Sequence, residues 1–174
     1  MTVVTIIDAA ARLLATRQSA GVAEIAAAAG VSRASIYRHF PTRDTLLRAL
    51  ADSTSAEAER RLADANLQTV PVEEGIARAA RALVALGDRY LAAMQDPTSL
   101  GTHNRAIREP LTALLRRGQT DGPLRANVPL DCLVESLLAL VGACLRSGHR
   151  LGQGTEDISA MIVRLFLDGA TERT

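Results

Sequence analysis

Residues 22–41 read VAEIAAAAGVSRASIYRHFP, and this pattern predicts two short helices joined by a tight turn. Its alanine-rich first part favours a short helix, because Ala is the strongest helix former. Gly30 predicts the turn that ends this helix. Ser32 predicts the N-cap of a second helix, which runs to Phe40 and stops before Pro41. Two helices joined by so tight a turn are typical of a helix-turn-helix.

The apolar residues of this stretch indicate which side of the second helix is buried. Ala26 is small where the two helices would cross, and Ile36 and Phe40 lie one turn apart. With Ile36 and Phe40 buried, the advance of about 100° per residue turns the opposite side to solvent. Arginine on such a surface bonds guanine in the major groove, and small residues admit thymine methyl groups. The outward residues are Ala34, Ser35, Tyr37 and Arg38, flanked by Arg33 and His39.

The charge of the chain is unevenly distributed. The formal net charge is only +1, but residues 1–50 carry six Arg against three acidic residues. Residues 51–174 carry fourteen basic and sixteen acidic residues. A basic head on a slightly acidic body suits contact with a polyanion, since the release of phosphate counterions drives binding.

Helical patterns continue through the rest of the chain, and few runs of β-branched residues interrupt them. We therefore expect an all-α protein without strands. Thr42 and Thr155 are the expected N-caps of the fourth and last helices, and Pro110 suits a first helical position. The predicted helices cover about 3–17, 22–29, 33–40, Thr42 to about 66, 72–95, 110–119, 130–150 and Thr155 to 169.

We expect a helix-turn-helix head in residues 1–48 and a helical effector-binding and dimerisation domain in residues 49–174. The helix over 130–150 is apolar almost all round, and the last helix has one apolar face. Their apolar surface predicts a four-helix interface in a two-fold homodimer. Alternatively, the helices over 72–95 and 110–119 cover this surface within a monomer. The predicted interface residues are Leu137, Val141, Ile158, Met161, Ile162, Leu165 and Phe166.

A small-molecule pocket is expected in the helical domain. A turn-rich segment precedes His103 and Arg105 and leads toward apolar helices, which suggests the entrance of a pocket. It is equally consistent with the pattern that these residues are ordinary core and surface residues without a ligand. The pocket should be mostly aliphatic, because this domain has only Tyr90 and Phe166 as aromatic residues. The predicted pocket residues are Leu86, Tyr90, Met94, His103, Arg105 and Cys144.

Several classes of protein are disfavoured. Neither Cys132 nor Cys144 has a CxxC partner, so no metal site is expected. No nucleophile with a base motif and no glycine-rich phosphate loop occurs, so neither an enzyme nor a cofactor is expected. The apolar stretch 137–145 is too short to span a membrane, and Asp8 lies too early for a signal peptide. Free thiols fit a reducing cytosol, and we expect a cytoplasmic protein.

Four ordered motifs in the first fifty residues resemble the TetR (tetracycline-repressor) family. They are IDAA at 7–10, EIA at 24–26, AGVS at 29–32 and IYRHFP at 36–41. The resemblance covers about residues 3–50, whereas the remainder matches the family only in helix order and length. It implies phosphate contacts from Tyr37, His39 and Arg43, base contacts from Arg33, Ala34, Ser35 and Arg38, and a capping Ser32 that also touches the DNA backbone.

The resemblance implies a bacterial, ligand-responsive regulator, more often a repressor. Two heads of a homodimer would enter successive major grooves of a pseudo-palindromic double-stranded DNA operator, and a small-molecule effector would release them. The alternatives are a helical interaction module or a family member that no longer binds DNA, and an all-α enzyme that binds small molecules.

The connection between the first two helices departs from the family pattern. It is shorter than in the usual member, where a Thr caps the second helix and contacts a phosphate. Gln18, Ala20 and Gly21 occupy this region here. The phosphate contact of that Thr is then missing here, and Ser19 is the alternative candidate for the N-cap of the second helix.

Overall fold

Every regular element that the structure describes is a helix, as the sequence predicts. The structure is a computed structural model that describes residues 3–94 and 105–171, without the side chain of His149. In these ranges one isolated antiparallel bridge, Leu124 to Thr171, is the only β pairing. The helices are α1 (Val3–Thr16), α2 (Val22–Ala28), α3 (Arg33–His39), α4 (Arg43–Asp64), a 3-10 turn (Leu67–Thr69), α5 (Val72–Val84), α6 (Asp88–Ala93), α7 (Arg105–Asp121), α8 (Leu130–Leu151) and α9 (Thr155–Ala170).

The chain forms two compact units. The first unit contains the described residues 3–56 and 87–94, and the second contains residues 57–86 and 105–171. Residues 49–56 and 87–94, which we expected in the helical domain, therefore pack with the head. They do so because α6 lies against α1 and the start of α4 contributes to the same core.

The core of the first unit is aliphatic apart from Phe40 and draws on every helix of that unit. Ala and Leu make up most of it, so the helix backbones lie close together. From α6, Arg89 binds the Asp8 carboxylate and donates a hydrogen bond to Ser53 Oγ (3.1 Å). The fully buried large side chains are Leu14, Ile25, Ile36, Leu46 and Leu50.

The second unit is a bundle in which α5 packs on α9 and α7, and α8 packs on α7 and α9. Two glycines allow α5 and α7 to approach closely. A Cβ built on Gly75 would lie 2.6 Å from Leu114 Cδ1, and one on Gly118 would lie 2.9 Å from Val72 Cγ1. Side chains at these positions would push the helices apart.

The prediction of one helix over 72–95 is wrong. The α5 helix ends at Val84, and α6 begins at Asp88 after Gly87, whose φ is +55°. A left-handed residue cannot continue a right-handed helix. The apolar spacing persists across the break, and for that reason periodicity alone did not reveal it.

Two predicted helix starts also need correction. Pro110 lies inside α7, which extends back to Arg105, and so it does not occupy the first helical position. Thr155 is the first residue of α9 and not its cap, because Gly154 takes the cap position. By contrast, Thr42 is confirmed as a cap, since its Oγ1 accepts a hydrogen bond from Thr45 N (3.2 Å).

Most of the predicted interface lies inside a single chain. Within the second unit α5 covers the apolar side of α9, as the monomeric alternative anticipates. Residues buried in this way cannot present a surface to a second copy, so their assignment to an interface is wrong. Buried are Leu137, Val141, Ile158, Ile162 and Phe166. Met161 is half-buried, and Leu165 is exposed over 51% of its surface.

Candidate nucleic-acid interface

The turn between α2 and α3 is closed by two backbone hydrogen bonds. Gly30 N donates to the Ala27 carbonyl (3.1 Å), and Val31 N donates to the Ala26 carbonyl (2.9 Å). Gly30 has a φ of +66°, which L-residues with a Cβ rarely adopt. These bonds form the Schellman arrangement that ends helices. The geometry fixes the direction in which the chain leaves α2.

The orientation of α3 is set at both of its ends. Ser32 Oγ accepts a hydrogen bond from Ser35 N (3.1 Å), which confirms Ser32 as the N-cap. Ile36 is fully buried and Phe40 nearly so, in the core shared with α1, α2 and α4. The seven-residue helix therefore presents one defined side to solvent.

That solvent side is rich in groups able to bind nucleic acid, and we call it the α3 outer face. Tyr37 leaves 47% of its surface exposed, which is unusual for so large a side chain. Arg33 and Arg38 form no ion pair with any described residue, so their guanidinium groups are free to bind a ligand. The α3 outer face comprises Arg33, Ala34, Tyr37, Arg38 and His39, all exposed, together with the half-buried Ser35. Ser32 is exposed beside it.

Arg43 has bonds that the sequence analysis missed. Its side chain is half-buried, and Nη2 donates to the Gln18 carbonyl oxygen (2.8 Å) while Nε donates to the Ala20 carbonyl oxygen (3.4 Å). These acceptors lie 23 and 25 residues earlier in the chain. No local pattern indicates such partners.

Residues 17–21 connect α1 and α2, and we call them the α1–α2 link. Gly21 is the cap residue of α2, so Ser19 does not cap this helix as we suggested. Glu24 binds the link from the other side. Its Oε2 accepts a hydrogen bond from Gly21 N (2.8 Å), and its Oε1 pairs with Arg17 Nη2 (2.7 Å).

The predicted effector-pocket residues are divided between the two units. Tyr90 and Met94 belong to the first unit, and Leu86, Arg105 and Cys144 belong to the second. Arg105 is exposed and pairs with Glu109 (2.6 Å). His103 lies outside the described residues. The pocket therefore stays a prediction.

Among the surface cavities formed by described residues of the second unit, two are large, and neither includes a predicted pocket residue. One cavity of about 490 Å³ is lined mainly by the start of α5 and the end of α7, including Val72, Glu73 and Arg117. The other, of about 370 Å³, lies beside the 3-10 turn and includes Glu59 and Glu109. Both cavities are open, whereas sites for small organic ligands are mostly enclosed and apolar.

The described residues give no support to other kinds of site. Among them no three His, Cys, Asp or Glu side chains come together as metal ligands. None of the described helices is both long and apolar enough to cross a membrane. Cys144 is buried, and this burial raises the pKa of its thiol.

Comparison with known proteins gives the same assignment for the head as its motifs do. The family model for bacterial regulatory proteins of the tetR family matches residues 6–50. The transcriptional repressor LfrR of Mycolicibacterium smegmatis is 34% identical over 127 residues, which are 68% of this chain and 65% of that protein. The chain thus spans slightly less than two thirds of LfrR in this alignment. The transcriptional regulator NfxB of Pseudomonas aeruginosa is 27% identical over 173 residues, with 95% of this chain and 92% of that protein covered.

Solved structures extend the similarity over the whole chain. LfrR in complex with proflavine gives a TM-score of 0.78 at 26% identity and covers 97% of this chain and 96% of its own. The TetR family regulator PfmR of Thermus thermophilus gives a TM-score of 0.75 at 21% identity, with 100% of this chain and 99% of PfmR covered. The helix order described above is therefore that of known helix-turn-helix regulators.

Proposed function

Because the head of this chain matches the family model for bacterial regulatory proteins of the tetR family, we propose that the chain is a member of that family and a DNA-binding transcription regulator whose α3 helix enters the major groove. The α3 outer face carries this proposal. It is exposed and basic, and its arginines have no partner among the described residues. The buried Ile36 and Phe40 hold it in one orientation. The relatives are named as transcriptional regulators and not as enzymes.

Each residue of the α3 outer face has a distinct proposed role. Arg33 and Arg38 read base edges, since a guanidinium can donate two parallel hydrogen bonds to guanine. Ala34 and Ser35 are small enough to let the helix approach the bases. Tyr37 and His39 bind phosphate oxygens, which position the helix without reading sequence.

Ser32 joins these phosphate contacts without giving up its cap. Its Oγ already accepts the bond from Ser35 N, but the hydroxyl proton remains available to donate to a phosphate oxygen. The proposed DNA-binding set is therefore Ser32, Arg33, Ala34, Ser35, Tyr37, Arg38 and His39.

We propose that two chains bind a pseudo-palindromic operator as a homodimer. The two recognition helices would then lie about 34 Å apart, one turn of DNA. Leu165 and Met161 offer an apolar surface on α9, and the exposed Ala139 and Ala143 on α8 would permit close helix contact. Leu165 and Met161 belong to the interface that the sequence predicts, and Ala139 and Ala143 extend it onto α8.

We propose that a small-molecule effector releases the protein from DNA, as in a repressor. Release requires that the effector bind more tightly to a conformation that fits the operator poorly. The structure of the relative LfrR contains proflavine, a flat aromatic molecule. In the described part of this chain the second unit has one aromatic residue, Phe166, and it is buried. An effector held mainly by aliphatic contacts suits this unit better.

Selection from random DNA duplexes, followed by affinity measurements on the enriched sequence, tests the proposed function. We expect a palindromic consensus. Arg38→Ala should lower the affinity for it by about 10- to 100-fold and relax the preference at one base position. Arg48→Ala is the matched control, because Arg48 is also exposed and without an ion-pair partner among the described residues but lies on α4. It should retain the preference at every position.

The rival function is a helical interaction module that keeps the fold without binding DNA. If the chain is such a module, the selection should enrich no DNA sequence. The Arg38→Ala and Arg48→Ala variants should then bind DNA equally weakly. Uniform weakening of Arg38→Ala across all sequences would instead make Arg38 a phosphate contact.

A further inference from the structure

Arg43, the first residue of α4, is attached to the α1–α2 link. Its two hydrogen bonds reach the carbonyl oxygens of Gln18 and Ala20, which lie two residues apart in the link. Arg43 is half-buried, whereas Arg33, Arg38 and Arg48 are exposed. Among the arginines of the head, Arg43 is therefore the one whose guanidinium donates hydrogen bonds to the protein's own backbone.

The two carbonyl oxygens, of Gln18 and Ala20, are bound by two donors of one guanidinium. Nε and Nη2 belong to one rigid planar fork, and each donates to a different carbonyl. A lysine ammonium keeps the positive charge, but it is a single point donor at the end of a flexible stem. Only arginine can hold both carbonyls with preorganised donors.

The link is bound on its other side as well. Glu24 of α2 accepts a hydrogen bond from Gly21 N and pairs with Arg17. Ala20 lies between these anchors and is fully buried in the core of the first unit. Every residue of the link except Ser19 is thus held by a side-chain bond or by burial.

This attachment bears on DNA recognition because the link leads directly into α2. The α3 helix packs on α2 through the buried Ile25 and Ile36 and follows it after the tight turn at Gly30. A change in the path of the link therefore changes where α2 begins, and α3 must follow. Small misplacements of a recognition surface weaken binding strongly, since its hydrogen bonds are directional.

We propose that Arg43 is a positioning residue, which holds the α1–α2 link so that α2 and α3 keep their DNA-reading orientation. This inference rests on the proposed function. It adds a positioning role to the phosphate contact that the family resemblance implies for Arg43. It also explains how a short link without a threonine cap is kept in place.

Three variants of the full chain test this role, with two measurements on each. Arg43→Lys keeps the charge and removes the fork, Arg43→Ala removes both, and Arg48→Ala removes one charge from the same helix. Operator affinity is measured over a range of salt concentrations by fluorescence anisotropy. Hydrogen exchange of the Ala20 and Gly21 amides is measured by NMR on the DNA-free protein.

We expect both Arg43 variants to bind the operator about ten-fold more weakly, the factor that one lost charge-assisted hydrogen bond typically carries. The slope of log affinity against log salt should be the same for Arg43→Lys and the wild type. Exchange at Ala20 and Gly21 should rise in both variants, because the link loses an anchor. Arg48→Ala should change the amide exchange and the operator affinity less than either Arg43 variant does.

Two outcomes would overturn the proposal. A phosphate contact without a positioning role would appear as near-normal affinity for Arg43→Lys, unchanged exchange, and a slope reduced by about 1.8 for Arg43→Ala, because the homodimer loses one contact per chain. A merely structural role would appear as faster exchange with unchanged operator affinity. A wild-type chain that selects no DNA refutes the proposed function itself, and this result is visible before any variant is made.

Discussion

Gly30 bears the strongest conformational demand in the head. Its φ of +66° lies in the left-handed region, and a Cβ built there would meet no atom within 4 Å. Gly30→Ala therefore costs only backbone strain. We expect a loss of about 1–2 kcal/mol in the free energy of unfolding, measured by urea denaturation. Gly30→Asn should lose less, because Asn tolerates this region better. An Ala variant as stable as the wild type would contradict the turn geometry.

The two cysteines differ in their surroundings, and their reactivity should differ accordingly. Cys132 is exposed, whereas Cys144 is buried and the burial raises the pKa of its thiol. Only the thiolate reacts, so Cys144 should be alkylated far more slowly than Cys132 in the folded protein. Iodoacetamide labelling at pH 8, followed by mass spectrometry, should show one fast site. Denaturant should make both sites react, and equal rates without denaturant would contradict the packing of α8.

Single residues also show how far local sequence reasoning extends. The cap at Ser32, the turn at Gly30 and the buried Ile36 depend on neighbours within a few positions, and the sequence predicts them correctly. The bonds of Arg43 join residues 23 and 25 positions apart. Such partners follow from the packed fold and not from any local pattern.

Among the helices, α6 has the most informative attachment. It belongs to the first unit, where Arg89 binds Asp8 of α1 and Ser53 of α4. The Arg89 and Asp8 side chains are 26% and 36% exposed, so solvent screens their pairing only in part. A double-mutant cycle with Arg89→Ala and Asp8→Ala should give a coupling energy of about 1 kcal/mol.

The Arg81–Glu156 pair provides the control for this cycle. It is longer, at 3.2 Å, and more exposed, so its coupling energy should be close to zero. The measurement is urea denaturation of the single and double variants. Equal coupling energies for the two pairs would argue against a specific attachment of α6 to α1.

The break between α5 and α6 explains why helix boundaries are harder to predict than helices. The apolar spacing continues from Ile76 through Tyr90, although the chain turns at Gly87. Periodicity indicates which residues are buried, but it does not indicate whether one helix or two bury them. A lone Gly inside a helical pattern is often tolerated, and so it gave no reliable signal.

For the whole molecule, the apolar faces of α8 and α9 were predicted correctly, but what covers them was not. Ile162 and Phe166 are covered by other helices of the same chain. An apolar helix face can be buried by other helices of the same chain or by a second chain. The spacing of apolar residues is the same in both cases, so the sequence does not distinguish them. The exposed Leu165 and the half-buried Met161 are what this face of α9 leaves for a second copy.

Leu165→Asp tests the proposed homodimer. A carboxylate in an apolar interface is costly to desolvate, so we expect the variant to sediment as a monomer while its helical circular dichroism is retained. Ile162→Asp provides the contrast, because Ile162 is fully buried and its variant should lose helical structure. A Leu165 variant that stays dimeric at micromolar concentration would exclude this part of α9 from the interface.

In the proposed complex, the α3 outer faces of two chains read one DNA duplex. Titration of the selected operator with the wild-type chain, at several salt concentrations, tests it most directly. We expect two chains per duplex, a log affinity that falls steeply and linearly with log salt concentration, and much weaker binding to an unrelated duplex. Equal affinity for operator and unrelated DNA, or no binding to either at low salt, would contradict it.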